Sequence, residues 1–146
     1  MKPLIVGEAP SKNEVVEQPL QGRVGRRMAA LSGLTYEQYI DFFDRVNLLH
    51  VRQDTKEKGF EFDFESAQIE ARQLVRGFKR GQIVLLLGGR VTEAFGVHHE
   101  YFNEVKLNGA RCYIVPHPSG VNRWWNDQDN VKKATAFMRG IVERTK

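Results

Sequence analysis

Four short runs of consecutive apolar residues punctuate the chain, at residues 3–7, 45–50, 82–88 and 111–116. They are continuous rather than alternating, the pattern of strands covered on both faces in a parallel sheet. Between them apolar residues recur at helical spacing. Arg26 to Leu31 and Tyr36 to Phe43 read as two short helices. The clearest helix runs from Phe64 to Phe78, where Phe64, Ala67, Ala71, Leu74, Val75 and Phe78 fall three or four apart and form one stripe. Its basic residues lie largely on the other side, and Gly81 marks its end. Val91 to Phe95 gives another short helix. A last one starts in the cap-prone stretch Asp127 to Asp129, runs to about Glu143, and buries Val131, Ala134, Phe137, Met138 and Ile141.

The order β-α-α-β-α-β-α-β-α predicts the α/β class: a three-layer α/β/α arrangement around a central, mainly parallel sheet of about four strands. Residues 51–63 are polar with a Lys/Glu-rich centre and read as a mobile surface loop. No internal repeat, low-complexity tract or Pro/Gly/Ser linker interrupts the pattern, so one domain over residues 1–146 is expected.

Composition narrows the classes. Apolar residues make up 41% and charged residues 27% of 146, ordinary for a globular protein able to bury its own core. No apolar run approaches the ~20 residues of a membrane span. The first strand begins almost at the first residue, so no signal peptide is expected. A single cysteine, Cys112, excludes an internal disulfide and a multi-cysteine metal cluster, and its place in an apolar strand suits a buried, inert thiol. These features lead to the expectation of a cytosolic monomer with no membrane partner. Twenty-two basic against 18 acidic residues leave a net charge of +4, compatible with nucleic acid without pointing to it. The placement is more telling. Arg23, Arg26 and Arg27 follow the first strand's loop and Arg123 follows the last strand's, positions suited to an anion, whereas Arg72, Arg76, Lys79 and Arg80 line one helix.

Open α/β sheets hold ligands at the carboxyl ends of their strands. Two loops at opposite ends of the sequence carry chemistry there. Leu4-Ile5-Val6 runs into Gly7-Glu8-Ala9-Pro10-Ser11, where the small residues Gly7 and Ala9 let a ligand approach the backbone and Glu8 supplies a carboxylate. Cys112-Tyr113-Ile114-Val115-Pro116 runs into His117-Pro118-Ser119-Gly120-Val121-Asn122-Arg123. There Ser119 and the amides of Gly120 and Val121 form a natural phosphate cradle with Arg123 adding charge. Each residue also has a purely structural reading: Glu8 as a helix cap or ion-pair partner, His117 as a satisfied structural imidazole, Trp124 and Trp125 as packing rather than stacking on a base. Asn47, at the beginning of a strand among apolar neighbours, either bridges two backbone segments or pairs with the donor and acceptor edge of a flat heterocycle. Gly22-Arg23-Val24-Gly25 is not a dinucleotide fingerprint, and no P-loop sequence is present. His50, His98 and His99 lack metal-ligand spacing and read as surface or structural residues; no metal site is expected.

With these residues in hand, the chain resembles the uracil-DNA glycosylase superfamily, most closely its thermostable bacterial and archaeal branch. That branch carries Gly-Glu-x-Pro-Gly followed by Pro-Phe-x-Gly-Arg-x-Gly. The counterparts here are Gly7-Glu8-Ala9-Pro10-Ser11 and Pro19-Leu20-Gln21-Gly22-Arg23-Val24-Gly25. The family's late His-Pro-Ser, with an Arg four residues beyond the Ser, is matched by His117-Pro118-Ser119 and Arg123, and its Leu-Gly strand exit by Leu85-Leu86-Leu87-Gly88 before a helix containing Ala94. The resemblance spans nearly the whole chain in order.

It implies a DNA glycosylase of base excision repair that flips a nucleotide out of single- or double-stranded DNA and hydrolyses its N-glycosidic bond, with no cofactor, in a bacterial cytosol or a virus-infected cell. Glu8 would orient or activate water, or balance positive charge on the sugar. His117 would hydrogen-bond the pyrimidine O2, and Asn47 the polar edge of the base. Gly7, Ala9 and Leu20 would shape the base pocket. Arg23, Ser119, Gly120, Arg123 and Trp124 would hold DNA. Leu20 stands where the family has a stacking Phe, Ser11 replaces a Gly, and the four cluster-binding cysteines of the closest branch are absent. The base expected is uracil or a modified pyrimidine, and a wider, less aromatic pocket suits a modified pyrimidine rather than plain uracil, or a site that has lost hydrolysis. An inactive module that binds DNA, a base or a nucleotide, or a transferase acting on a modified base, is the alternative.

Overall fold

The structure is a computed structural model that describes residues 1–10, 19–50, 53–55, 59–98, 100–119 and 122–145. Its elements are β1 (Leu4–Gly7), α1 (Gly22–Ser32), α2 (Tyr36–Phe42), β2 (Asp44–Asn47), β3 (Gln53–Thr55), β4 (Gly59–Glu61), α3 (Phe64–Gly77), β5 (Ile83–Leu87), α4 (Gly89–Ala94), β6 (Glu104–Leu107), β7 (Ala110–Val115) and α5 (Gln128–Thr145), with a 3₁₀ turn at Arg123–Asn126 before α5. Five strands form the main sheet in the order β2-β1-β5-β7-β6. The first four run parallel; β6 pairs antiparallel with β7.

The continuous apolar runs are explained by two cores, one on each face of the sheet. Ile5, Leu85, Leu87, Tyr113 and Val115 point to one side, where Met28 and Leu31 of α1, Tyr39 of α2 and Met138 and Ile141 of α5 cover them. Their neighbours Val6, Val84, Leu86 and Cys112 point to the other, onto Ala67 and Ala71 of α3 and Val91 and Ala94 of α4. Alternation along β1, β5 and β7 thus feeds both cores, which is why their runs are apolar at nearly every position. This is the expected three-layer α/β/α arrangement. Cys112 is fully buried, and burial pushes its thiol up to about 12.

Local signals set the element ends. Thr35 caps α2 through a reciprocal box with Gln38, its hydroxyl accepting from the Gln38 amide and its own amide donating to Gln38 Oε1. Asp63 accepts from the Ser66 amide at the start of α3. Gly33 ends α1 in the left-handed region, at φ 71°.

Four expectations need correction. The sheet has a fifth strand, β6: its sequence Glu-Val-Lys-Leu exposes every other residue, as an edge strand does, so no apolar run announced it. Residues 51–63 are not all loop, because β3 and β4 pair as an antiparallel hairpin; the charged residues that suggested irregular structure suit a two-stranded ribbon outside the main sheet. The helix expected at Arg26 begins four residues earlier, at Gly22. Asn47 lies at the end of β2 rather than at a strand's beginning, since β2 starts at Asp44 and stops at Asn47. That last shift moves Asn47 to the sheet edge where the other candidate residues lie.

Register explains why they gather. Val46, Val6, Leu86 and Ile114 form one row across four parallel strands. Asn47 follows that row by one residue, Glu8 and Gly88 by two, and His117 by three. Beyond β2 the ladder continues briefly, with the Leu48 and Leu49 amides donating to the Gly7 and Glu8 carbonyls at 3.0 and 2.9 Å. The β1–α1 connection is fixed from the helix side: the Leu20 carbonyl accepts from the Tyr39 hydroxyl at 2.9 Å.

Gly25 in α1 packs against that same turn, where an added Cβ would stand 2.6 Å from the Leu20 carbonyl oxygen and 3.2 Å from the Tyr39 ring. Alanine's helix propensity would favour Gly25→Ala by up to about 1 kcal/mol. The clash is with backbone and should outweigh this, at about 1–3 kcal/mol. Urea denaturation should show a net loss of stability; a gain would contradict this packing.

Candidate active site

Glu8 and His117 come from the first and last parallel strands of the sequence, and β5 separates them. Two strand spacings, about 10 Å, divide their backbones, room for a flat ring between inward-reaching side chains. Gly88, at the exit of β5, forms the floor between them. It has φ 89°, and a Cβ there would meet the His117 Cβ at 3.0 Å and its ring at 3.4 Å. Glycine is thus needed twice, for backbone conformation and for the approach of the imidazole.

The charge of Glu8 lies within electrostatic range of the His117 imidazole. Burial pushes the His117 imidazole below the ordinary histidine range, the negative charge of Glu8 acts in the opposite direction, and the positive charge of Arg90 reinforces burial. Arg90, in the first turn of α4, also approaches Glu8, with Nη1 3.7 Å from Oε2. A carboxylate, a guanidinium and an imidazole therefore converge over the ends of β1, β5 and β7.

His117 is held by its own carbonyl, which accepts from Asn122 Nδ2 at 2.9 Å and Trp125 Nε1 at 2.8 Å. Asn122 also accepts from the Trp124 amide through Oδ1 at 3.1 Å, joining the loop to the 3₁₀ turn. Trp125 is buried and carries the Arg27 guanidinium 4.4 Å from its ring centre. Trp125 thus packs and positions, and Arg27 is engaged with it. Trp124 is half-buried against Trp125, Tyr101 and Phe102.

The base-pocket candidates form a second group beside β1. Leu20 is buried, with φ 58°. A Cβ on Gly7 would lie 2.5 Å from Leu20 Cδ2 and 2.6 Å from Asn47 Oδ1. Leu20 and Asn47 can both reach over the end of β1 because residue 7 has no side chain. Asn47 is buried and, with Pro10, Pro19, Leu49 and His50, lines a cavity of about 210 Å³. Ala9 is half-buried against the core under α3 and α4. Glu8 and His117 do not line that cavity, so the pocket candidates and the charged pair are neighbours through the Gly7–Glu8 backbone rather than walls of one closed chamber. A larger cavity, about 690 Å³, opens on the other side of α4 between Gly89, Tyr101, Trp124 and Lys133. It also lacks Glu8 and His117, so its size does not make it the candidate site.

Among the DNA-binding candidates, Arg23 and Arg123 are exposed, at the starts of α1 and the 3₁₀ turn, and Ser119 is half-buried with its carbonyl accepting from the Asn122 amide at 3.2 Å. Gly120 and Val121, like Ser11 and His99, lie outside the described residues. Among the described residues no group of three His, Cys, Asp or Glu is arranged to hold a metal ion, and no helix is long and apolar enough to cross a membrane. Sequence reasoning missed Arg90, Gly88, Asn122 and Trp125 as parts of the site. The Gly-Gly-Arg that follows β5 was the available signal, since it must lie at the same sheet edge.

A mainly parallel α/β/α domain with an acid and an imidazole at the carboxyl edge of its sheet belongs to the class that binds its ligand across strand ends. The family relation is more particular: residues 1–141 match the model of the uracil DNA glycosylase superfamily, and the chain belongs to that superfamily. No curated protein matches it. Membership supports a glycosylase-type activity and DNA as partner.

The lowered proton affinity of His117 has a consequence for folding. The unfolded chain, with an ordinary value near 6.5, takes up this proton first as pH falls. The stability contributed by the neutral imidazole is complete above that value and is lost as pH drops from there through the lowered one. Urea denaturation from about pH 8 down to about pH 5 should show a smaller loss for His117→Gln than for the parent. Equal losses would contradict the burial.

Proposed function

We propose that the protein is a DNA glycosylase that hydrolyses the N-glycosidic bond of uracil or a modified pyrimidine everted from DNA. The observation that supports this reading is the placement of Glu8 and His117 just beyond the carboxyl ends of β1 and β7, on either side of the exit of β5, in a chain of this superfamily. In the reaction the bond between C1′ and the base nitrogen breaks and its electron pair leaves with the base, which departs as an anion. Positive charge develops on the sugar, water adds at C1′, and its proton passes to the Glu8 carboxylate. The base anion later takes a proton from solvent.

The electrostatics support these roles. A half-buried imidazole whose charged form is disfavoured is a neutral donor, suited to hydrogen-bonding an oxygen on which negative charge appears only as the bond breaks. Glu8 remains partly accessible, with 18% of its side chain exposed, enough to meet water. Asn47 pairs with the polar edge of the base, and Gly7, Ala9 and Leu20 bound its faces. With an aliphatic side chain in place of an aromatic one at Leu20, the pocket gives up stacking and accepts a substituted ring more readily. Arg23, Ser119, Gly120, Arg123 and Trp124 hold the strand, chiefly through its phosphates, giving affinity without sequence preference. One observation favours the alternative of a binding module without hydrolysis: Arg90 approaches Glu8 and offsets its charge.

The test is base release from a panel of single- and double-stranded oligonucleotides carrying uracil or substituted pyrimidines, read as strand scission after alkali. The parent should release at least one base. His117→Ala should slow release by about 100- to 1,000-fold while leaving DNA affinity nearly unchanged, the scale expected for a donor to a developing anion. No scission on any substrate would favour the binding module, and equal rates in parent and variant would remove His117 from the mechanism.

A further inference from the structure

The cavity of about 690 Å³ beside α4 takes no part in the hydrolysis as described, yet its size suits a bound nucleotide. It adjoins the candidate site through two residues of its wall. Gly89 follows Gly88, the floor beneath His117, and the Trp124 amide donates to Asn122, which holds the His117 carbonyl. The Trp124 carbonyl accepts from Asn130 Nδ2 at 3.0 Å, so both backbone groups of this tryptophan are fixed. Its ring lies 5.6 Å from that of Tyr101, at 73°, and 6.0 Å from that of Phe102, at 57°. Phe102 sits at φ 67°, a rare conformation for a bulky side chain, with its amide donating to the Ile114 carbonyl at 2.9 Å. Tyr101 is 42% exposed, which leaves aromatic surface bare on an otherwise fixed platform. The formally charged groups of the cavity are the carboxylates of Glu93 and Glu100 and the ammonium of Lys133. Among the described residues none of the three forms an ion pair. Carboxylates only accept hydrogen bonds, so they turn away a carbonyl edge and favour an amino group. A simple cation would satisfy them but gain nothing from Lys133. A flat ring with an amine, joined to a phosphate, uses the aromatic platform and both signs of charge.

We propose that this cavity is a second base site, which takes an amino-bearing base (cytosine, adenine or guanine) from the same strand as the everted nucleotide. The base stacks on Tyr101 and Trp124, its amine donates to Glu93 or Glu100, and Lys133 meets its phosphate. Thymine and uracil present a carbonyl where cytosine and adenine carry the amine, so they are disfavoured. The inference rests on the glycosylase reading of the site and deepens it: to phosphate contacts that ignore sequence it adds a preference for the neighbouring base. A base that enters this cavity must be unpaired and unstacked, so single-stranded DNA is the fitting substrate.

The experiment is fluorescence anisotropy of labelled single-stranded oligonucleotides containing 2′-fluorodeoxyuridine, whose electron-withdrawing fluorine resists glycosidic cleavage. The bases on both sides of it are either all cytosine or all thymine. The parent, Tyr101→Ala and the double variant Glu93→Gln/Glu100→Gln are compared, with melting temperatures measured alongside. The parent should bind the cytosine strand about 10-fold tighter than the thymine strand. Tyr101→Ala should weaken binding of the cytosine strand by about 10-fold. The double variant, whose amides can donate to a carbonyl, should bring the two strands to within about 2-fold of each other. A parent that does not discriminate, or discrimination that survives unchanged in the double variant, would overturn the proposal. So would a parent that binds neither strand. Flanking bases without effect in a parent that binds free deoxycytidine monophosphate, read by titration calorimetry, would give the cavity to a free nucleotide and overturn the strand contact. Should the double variant fail to fold, Tyr101→Ala keeps the test: equal affinity of that variant and the parent for the cytosine strand overturns the proposal. Discrimination in a protein that releases no base from the substrate panel would sustain the second base site and remove only the hydrolysis, and base release without discrimination would do the reverse.

Discussion

The candidate site depends on the alignment of β1, β5 and β7, three parallel strands whose carboxyl ends finish almost level. Parallel pairing forces this: each strand enters the sheet from the same edge and leaves at the other, so every strand exit contributes to one rim. The acid arrives from one end of the sequence and the imidazole from the other, and no local interaction could bring them together. The hydrophobic cores on both faces of the sheet fix their separation. A shift of register in β5 would move Gly88 from beneath the imidazole, and any side chain in its place would press on the His117 Cβ. Core packing and chemistry are therefore linked through a single glycine.

Around this rim the charges are arranged unevenly. On one side, the Gly7–Glu8 turn brings Leu20 and Asn47 against the end of β1, an apolar surface and an amide with no net charge. On the other, Asn122 and Trp125 hold the His117 carbonyl so that the imidazole is fixed by its backbone. Arg90 enters from solvent, between these two sides in chain order and close enough to act on both charged groups. A recess walled by Asn47, Leu49, Arg45 and His50 beside a charged rim suits a ligand with a flat, polar head and an anionic backbone. That is the chemistry of a nucleotide within a strand, in keeping with the superfamily to which the chain belongs.

Much of this was legible in the residues. Four strands announced themselves as apolar runs, three of them buried and β2 at the edge of the sheet, and the Phe64 to Phe78 stripe gave α3 almost to the residue. The two polar loops were recognisable because each follows such a run. What escaped reading has physical reasons. β6 alternates exposed and half-buried positions over only four residues, too short for a period to stand out. The β3–β4 hairpin lies outside the main sheet and needs no apolar face toward it. Asn47 was placed at the wrong end of its strand because Leu48 and Leu49 extend the apolar run; they are buried against the core under α3 and α4, not in the strand proper. Arg90 was passed over because its neighbours Gly88 and Gly89 carry no side chains, and only the three-dimensional register shows which loop faces the exit of β5.

The central claim is that Glu8 and His117 share one electrostatic environment, and it can be measured without any substrate. Titration of the His117 ring protons by nuclear magnetic resonance, in the parent and in Glu8→Gln, reads the interaction directly. The carboxylate favours the charged imidazole, so its removal should lower the His117 pKa below the already depressed value of the parent. Superimposable titration curves would mean that the two side chains do not sense each other, and the shared site would have to be abandoned.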